Sequence, residues 1–430
     1  MKIYVNPPRT IKAWEPLTRR NIKDIDDVME SVDRILENVD RFGDKALRQY
    51  ALEFDGTPVK DIEVSAREIE EAEKAVSPEV KEAIATGIRN IRAFHEAQMP
   101  REVKVETMPG VTCVQRAVPI KRVGLYIPGG QAPLFSTVLM LAVPARIAGC
   151  ESVVLCTPQT HNRPISPEIL YAAKECGIEK IYRVGGAQAI GAMAMGTETI
   201  GRVDKIFGPG NRYVTYAKQA VSTFVDIDMP AGPSEVMVMA DESCNPRFVA
   251  ADLLSQAEHG PDSQAICVCS TEEIANAVNN QVEELMKALK RKDSIRKSLS
   301  HSRIIVFGNT DEMVDFANYY APEHLIISMN DPWEIAGRIT AAGSVFIGNY
   351  SPESAGDYAS GTNHTLPTNG WARSRSGVNL ESFMHKITYQ QLTSEGLAGL
   401  TPAIVTMATA EGLDAHAMAA KIRLNPEEKK

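Results

Sequence analysis

Short apolar runs alternating with amphipathic stretches constrain this chain more than any other feature. Val123-Gly-Leu-Tyr-Ile127, Ser152-Val-Val-Leu-Cys156, Ile181-Tyr-Arg-Val184 and Val203-Asp-Lys-Ile-Phe207 each read as a buried parallel strand. Residues 136–149, 166–176, 187–198 and 211–222 carry helical periodicity between and after them. Such βαβ repetition predicts a doubly wound parallel sheet. A second set follows: strands at 235–240, 264–268, 303–307 and 344–347, with helices near 246–258, 272–290, 311–319 and 332–339. The expected fold is α/β, with two Rossmann-like doubly wound domains. Two similar sheets hint at duplication, although no strong self-similarity links the two sets. Residues 20–100 read as a charged helical scaffold, in which Ser65-Ala-Arg-Glu68 has capping-box spacing and Ser77-Pro78 opens a helix. Beyond about 380 only helical patterns remain, at 381–393, 398–410 and 414–422, before the charged tail Pro426-Glu-Glu-Lys-Lys430. That region is either a small helical domain or a dimerisation arm.

With 430 residues the chain exceeds the ~250–300 at which one hydrophobic core stops growing, so several domains are expected. Lys+Arg 46 against Asp+Glu 55 gives a net charge of −9, which argues against nucleic-acid or anionic-membrane partners. No run approaches the ~18 apolar residues of a membrane span, and the N-terminus shows no secretory signal. The seven cysteines are scattered within apolar runs and read as reduced core thiols, Cys267 and Cys269 included; this suits a cytoplasmic protein.

Gly-rich turns close the first strands, at Pro128-Gly-Gly130, Gly185-Gly186 and Gly208-Pro-Gly210. Ligands of open α/β sheets bind at such carboxyl ends. A nucleotide phosphate loop and a nucleophile elbow are both absent, and Tyr213 stands where a dinucleotide fingerprint needs its third glycine. Pattern alone therefore does not establish a nicotinamide cofactor. Four polar constellations remain. Gln256 and His259 lie three apart near a helix end closed by Gly260, and share one side of it. Glu323-His324 follow a proline, as a loop presenting an acid and an imidazole suited to opposite proton-transfer roles. Gly356 to Pro367 is a long polar loop containing Asp357 and His364. Glu411 and His416 could converge only if a helix begins at Asp414. Each set has an ordinary structural reading when taken singly: a helix cap, a surface acid, a solvent turn, a dipole-stabilising acid. Together they supply nitrogen and oxygen donors without a thiolate, a zinc-like set.

Taken in order, these runs resemble the histidinol dehydrogenase family. The likeness extends from Gly124-Leu-Tyr-Ile-Pro-Gly-Gly130 through Gly185-Gly-Ala-Gln188, Gly208-Pro-Gly-Asn-Arg212 and Asp228-Met-Pro-Ala-Gly-Pro-Ser234. It continues through Gln256-Ala-Glu-His259, Ala321-Pro-Glu-His-Leu325, Gly356–Thr368 and Glu411-Gly-Leu-Asp-Ala-His416. The resemblance implies an NAD-dependent enzyme with one zinc ion per site, oxidising L-histidinol to L-histidine through histidinal as the last step of histidine biosynthesis. It implies Gln256, His259, Asp357 and His416 as zinc ligands and Glu323 and His324 as the catalytic pair. By the same resemblance Tyr126, Gln188 and Asn211 bind NAD. Ser136, Ser234, His364 and Glu411 hold substrate, together with the ligands and the catalytic pair.

The resemblance further implies a homodimer with shared active sites. Its division of the chain is an N-terminal arm (1–20), a first α/β domain with the zinc ligands and catalytic pair (21–125 with 236–379), an NAD-binding α/β domain (126–235), and a helical C-terminal domain that completes the partner's site (380–430). Relatives on this scaffold oxidise other primary alcohols, such as a sulfonated diol, and would lose the groups that recognise an imidazole. The presence of His364 and Glu411 favours histidinol. A zinc-binding protein without turnover would have no use for Glu323-His324.

Overall fold

Both apolar sets form parallel sheets, and both sheets share one strand order. In the computed structural model, which describes residues 1–21, 26–129, 133–159, 163–230 and 232–424, the five-stranded sheet runs Lys180–Tyr182, Ser152–Cys156, Arg122–Tyr126, Lys205–Phe207, Asp226–Ile227. The six-stranded sheet runs Lys2–Val5, Arg303–Val306, Gln264–Cys269, Glu235–Ala240, His324–Ser328, Ser344–Ile347. Counted from Arg122 and from Glu235, each has the order 3-2-1-4-5, with Lys2–Val5 added at the edge of the second. The tail from Pro426 and residues Gly130 and Ala231 of the quoted runs lie outside the described residues.

The six-stranded sheet is covered on both faces. Val236, Val238 and Ala240 join one core, while Met237 and Met239 join the other. That is strand alternation with both faces buried, which produces a continuous apolar run in place of an alternating one. The first twenty residues do not hang free. Lys2–Val5 pairs in parallel with Arg303–Val306, and Trp14 of helix Ile11–Thr18 packs edge-on to Phe316 at 5.3 Å. The Ser65 capping box forms as expected, and Pro78 is the first residue of its helix.

The chain groups into two compact units, one of Met1–Gln98 with Ile120–Phe383, the other of Met99–Pro119 with Met384 onward. In the second unit the helix expected over 381–393 is instead a 3-10 turn at Leu380–Phe383, still in the first unit, followed by the strand Met384–Leu392. That strand pairs antiparallel with Val111–Pro119, which pairs in turn with Val103–Met108. The reason lies in Ile387, Thr388 and Tyr389, whose β-branched and aromatic side chains favour an extended partner strand over a helix. Helices Ser394–Ala410 and Asp414–Leu424 complete the unit, so it is mixed α/β and draws in residues 99–119. The division expected between 125 and 126 falls inside the strand Arg122–Tyr126 of the five-stranded sheet.

Candidate active site

Helix Pro246–His259 starts with Asn245 capping Arg247 N–H and ends at Gly260. Its last turn carries Gln256 and His259 to the amino-terminal edge of the six-stranded sheet. Glu323 and His324 reach the same edge differently from the expected exposed loop. Ala321, at φ 53, ends helix Thr310–Tyr320, and the chain turns directly into the strand His324–Ser328, which lies between Glu235–Ala240 and Ser344–Ile347. Glu323 is only 6% exposed and His324 3%. Leu325-Ile-Ile is the buried run that pulls them inside, and Pro322 disguises it.

Glu323 Oε2 accepts from the Glu235 N–H at 2.7 Å and from Gln256 Nε2 at 3.5 Å. His324 Nδ1 lies 3.1 Å from the Glu235 carbonyl oxygen, a contact that only an N–H can satisfy. Its Nε2 points toward Asp357 Oδ1, 3.6 Å away. Ser234 Oγ lies 3.5 Å from His259 Nδ1. His364 is oriented by two contacts, Nδ1 to Asp357 O at 2.9 Å and Nε2 to Thr137 Oγ1 at 3.2 Å. Ser136, beside Thr137, is buried in the first turn of helix Phe135–Ala148.

His259, Asp357 and Glu353 bring ligand atoms within 4.8 Å of one another. Glu353 is absent from the residues singled out in the sequence. The stretch from Gly356 is not wholly a loop, because helix Glu353–Tyr358 includes its first three residues. The i,i+4 spacing of Glu353 and Asp357 just after Pro352 is the signal that would have found it. Burial pushes the Glu353 carboxyl up to about 8, opposed by the nearby His324. Burial also raises Glu323, against the pull of His324 and of its hydrogen bonds. For His324 desolvation alone would lower the pKa, but Glu323, Glu353 and Asp357 outweigh it and raise it well above the usual value. Desolvation would raise Asp357, yet His324 and His364 hold it below the ordinary range. His259 and His364 are both lowered by desolvation. Gln256 Oε1 is buried without a hydrogen-bond partner among the described residues. Three crowded carboxyl groups, an orphaned amide oxygen and the imidazoles of His259 and His364, which favour the neutral form, suit a divalent cation.

The other candidates sit on the five-stranded sheet, at the opposite kind of edge. Tyr126 ends the first strand, and its hydroxyl accepts from the Gly186 N–H at 3.1 Å; burial pushes it up to about 12. Gln188 is buried in helix Gly186–Met195, just after the third strand. Asn211 follows the fourth strand and caps helix Arg212–Val221, accepting from Tyr213 N–H at 3.0 Å and Val214 N–H at 3.2 Å. Gly208, at φ 124, leaves no space for a Cβ against the Tyr126 carbonyl oxygen. Helix N-termini face this edge and suit an anion, whereas helix C-termini face the Glu323–His324 edge and suit a cation. Glu411 and His416 belong to the second unit and are exposed, with helix Asp414–Leu424 starting at Asp414 as their spacing requires.

Residues 18–424 match the family model described as histidinol dehydrogenase. The chain belongs to the histidinol dehydrogenase family. It is 53% identical over 425 residues to the histidinol dehydrogenase of Bacteroides fragilis, covering 99% of each chain. The Escherichia coli histidinol dehydrogenase is 52% identical over 418 residues, 96% of this chain and 93% of that protein. The crystal structure of histidinol dehydrogenase from Elizabethkingia anophelis superposes with a TM-score of 0.97 at 50% identity, covering 100% of this chain and 99% of that one. A histidinol dehydrogenase is an oxidoreductase, and histidinol oxidation in histidine biosynthesis is the family's reaction. Among the described residues no helix is long and apolar enough to cross a membrane. Two residues at the site, Thr137 and Glu235, carried no signal in the sequence, because each acts through a contact between elements far apart in the chain.

Proposed function

We propose that this chain oxidises L-histidinol to L-histidine in two steps through histidinal, with two NAD per turnover and one zinc ion per site. The observation that supports this most is the meeting of buried Glu323, His324, Gln256 and Asp357 with exposed His259 at one sheet edge. Gln256, His259 and Asp357 are the ligands supplied by one chain, and His416 is the ligand supplied by a partner chain. When bound, the zinc orients the amine and imidazole of the substrate, and NAD takes up hydride at each oxidation.

The chain's own groups handle the protons. His324 is held by the Glu235 carbonyl through Nδ1 and turns Nε2 toward Asp357. A cation on Asp357 would offset the carboxylates that raise His324, leaving Nε2 free to take the hydroxyl proton of the alcohol. Glu323 removes a proton from the water that adds to the aldehyde. Ser136, Ser234, His364 and Glu411 hold the substrate, and enclosure keeps the aldehyde from escaping between the two oxidations. Tyr126, Gln188 and Asn211, at the carboxyl edge of the five-stranded sheet, bind NAD. In this reading the five-stranded sheet is the NAD-binding part, the six-stranded sheet the zinc-binding and catalytic part, and the region from Met384 the arm that completes the partner's site. The protein works as a cytoplasmic homodimer. The test is NAD reduction with L-histidinol against other primary alcohols, with and without a chelator, alongside elemental analysis. Full turnover by metal-free protein, or equal rates on unrelated alcohols, overturns the reading.

A further inference from the structure

Both members of the proposed proton-transfer pair are held by one residue outside it. Glu235 opens the central strand Glu235–Ala240, and its main chain donates to Glu323 Oε2 at 2.7 Å and accepts from His324 Nδ1 at 3.1 Å. The Glu235 side chain, 2% exposed, is fully engaged. Arg20 grips it with Nε on Oε1 at 2.6 Å and Nη2 on Oε2 at 2.9 Å, while Asn369 N–H donates to Oε1 at 2.7 Å. The same Nη2 donates to the Tyr320 carbonyl at 2.9 Å, and the guanidinium lies 4.1 Å over the Tyr320 ring. Tyr320 ends the helix that leads straight into Glu323. Its hydroxyl donates to Gln264 Oε1 at 2.8 Å, and Gln264 Nε2 donates to Arg19 O at 3.1 Å, which closes the circuit beside Arg20.

We infer that Arg20 and Glu235 are positioning residues for the oxidation, clamping together the two segments that aim Glu323 and fix the Nδ1–H tautomer of His324. A buried ion pair is weak evidence for stability, since a well-packed apolar pair of similar volume often does as well. What distinguishes this pair is its place. Its carboxylate end is the residue whose main chain touches both Glu323 and His324, and its guanidinium end touches the turn that delivers them. The inference rests on reading Glu323 and His324 as the proton-transfer pair.

The experiment uses the full-length, metal-loaded protein with three variants: Arg20→Lys, which keeps the charge but loses the fork; Glu235→Gln; and the charge-free double variant Arg20→Met with Glu235→Gln. Melting temperature and circular dichroism establish folding, and kcat and KM for histidinol are then measured separately. Nitrogen NMR of isotope-labelled histidine reads the His324 tautomer. The folded variants are expected to lose kcat by about 10- to 100-fold, the scale of a misplacement near 1 Å, with histidinol KM within about threefold and a changed His324 Nδ1–H signal. The double variant should recover melting temperature without recovering kcat. Wild-type kcat in any folded variant, or recovery of both quantities together in the double variant, overturns the inference. Full kcat in His324→Ala would instead overturn the proton-transfer reading beneath it.

Discussion

Replacing Lys218 by Met removes one half of a buried ion pair that fixes the turn at Gly208. Lys218 and Asp228 side chains are 2% and 1% exposed. Lys218 Nζ donates to Asp228 Oδ1 and, at 2.9 Å, to the Gly208 carbonyl. Asp228 in turn accepts from Gly208 N–H at 2.8 Å and from Met229 N–H at 2.6 Å. The substitution leaves a carboxylate in the interior with no cation beside it, and breaking one side of such a pair costs about 3–5 kcal/mol. The two main-chain donors that remain soften the loss toward the lower figure, since each charge-assisted bond contributes about 1.5–3 kcal/mol. Urea unfolding should show that loss as a lower midpoint at unchanged slope. Changing Asp228 to Asn in the same chain should restore most of it, because the stranded charge is gone. NAD affinity, measured by calorimetry, should stay weakened in the double variant, because the Gly208 turn has lost its lysine tether. A Lys218→Met chain that loses less than about 1 kcal/mol, or one whose double variant is no more stable than the single, refutes the argument from an uncompensated buried charge.

His324→Ala should lower kcat for alcohol oxidation by about 10²–10⁴-fold, the usual yield of a positioned base. Glu323→Gln should harm the aldehyde step more than the alcohol step; equal losses on the two substrates, supplied separately, contradict the assignment of Glu323 to water activation. Mixing inactive His416→Ala and His324→Ala chains under subunit exchange should restore about a quarter of wild-type activity if each site is built from two chains. No recovery, with exchange verified by mass, would favour self-contained sites. Hydrogen bonds from Arg183 and Ser65 hold Glu68 at about 2, below the ordinary 4.5 of a glutamate. Because the folded pKa is the lower one, its contribution is complete above pH 4.5 and fades as pH falls toward 2. Solvent screening limits this to under about 1 kcal/mol. A Glu68→Gln chain should therefore lose its deficit relative to wild type in acid urea titrations; a deficit that persists near pH 2 contradicts the ion-pair origin.

Most parallel strands were readable because full burial on both faces writes a contiguous apolar run, as in Ser152–Cys156 and Glu235–Ala240, whose expected and observed limits coincide. His324–Ser328 escaped for a local reason: Pro322 two residues earlier suggested a loop, and only the partners on either side turn the segment into a strand. Lys2–Val5 and Met384–Leu392 escaped because a pairing edge is a property of another part of the chain. The same limit applies at the site. Gln256, His259 and Asp357 stand out as residue types, and their family likeness located them. The role of Glu235 is carried by its backbone, to which residue identity is silent, and Glu353 gains meaning only from the His259 and Asp357 atoms near it.

Using the amino-terminal edge of the six-stranded sheet leaves its other rim without duties in the site. The turns after Ala240, Cys269, Val306 and Ser328 contribute none of the proposed ligands or proton-transfer groups. At Asn330 and Asp331 the turn is exposed and already left-handed, with Asp331 at φ 46. Surface turns of this kind accept grafted sequence readily. A peptide tag, a fluorophore or a fused domain attached there would report on the enzyme from the far side of a closed hydrophobic layer, while the chemistry proceeds undisturbed on the near one.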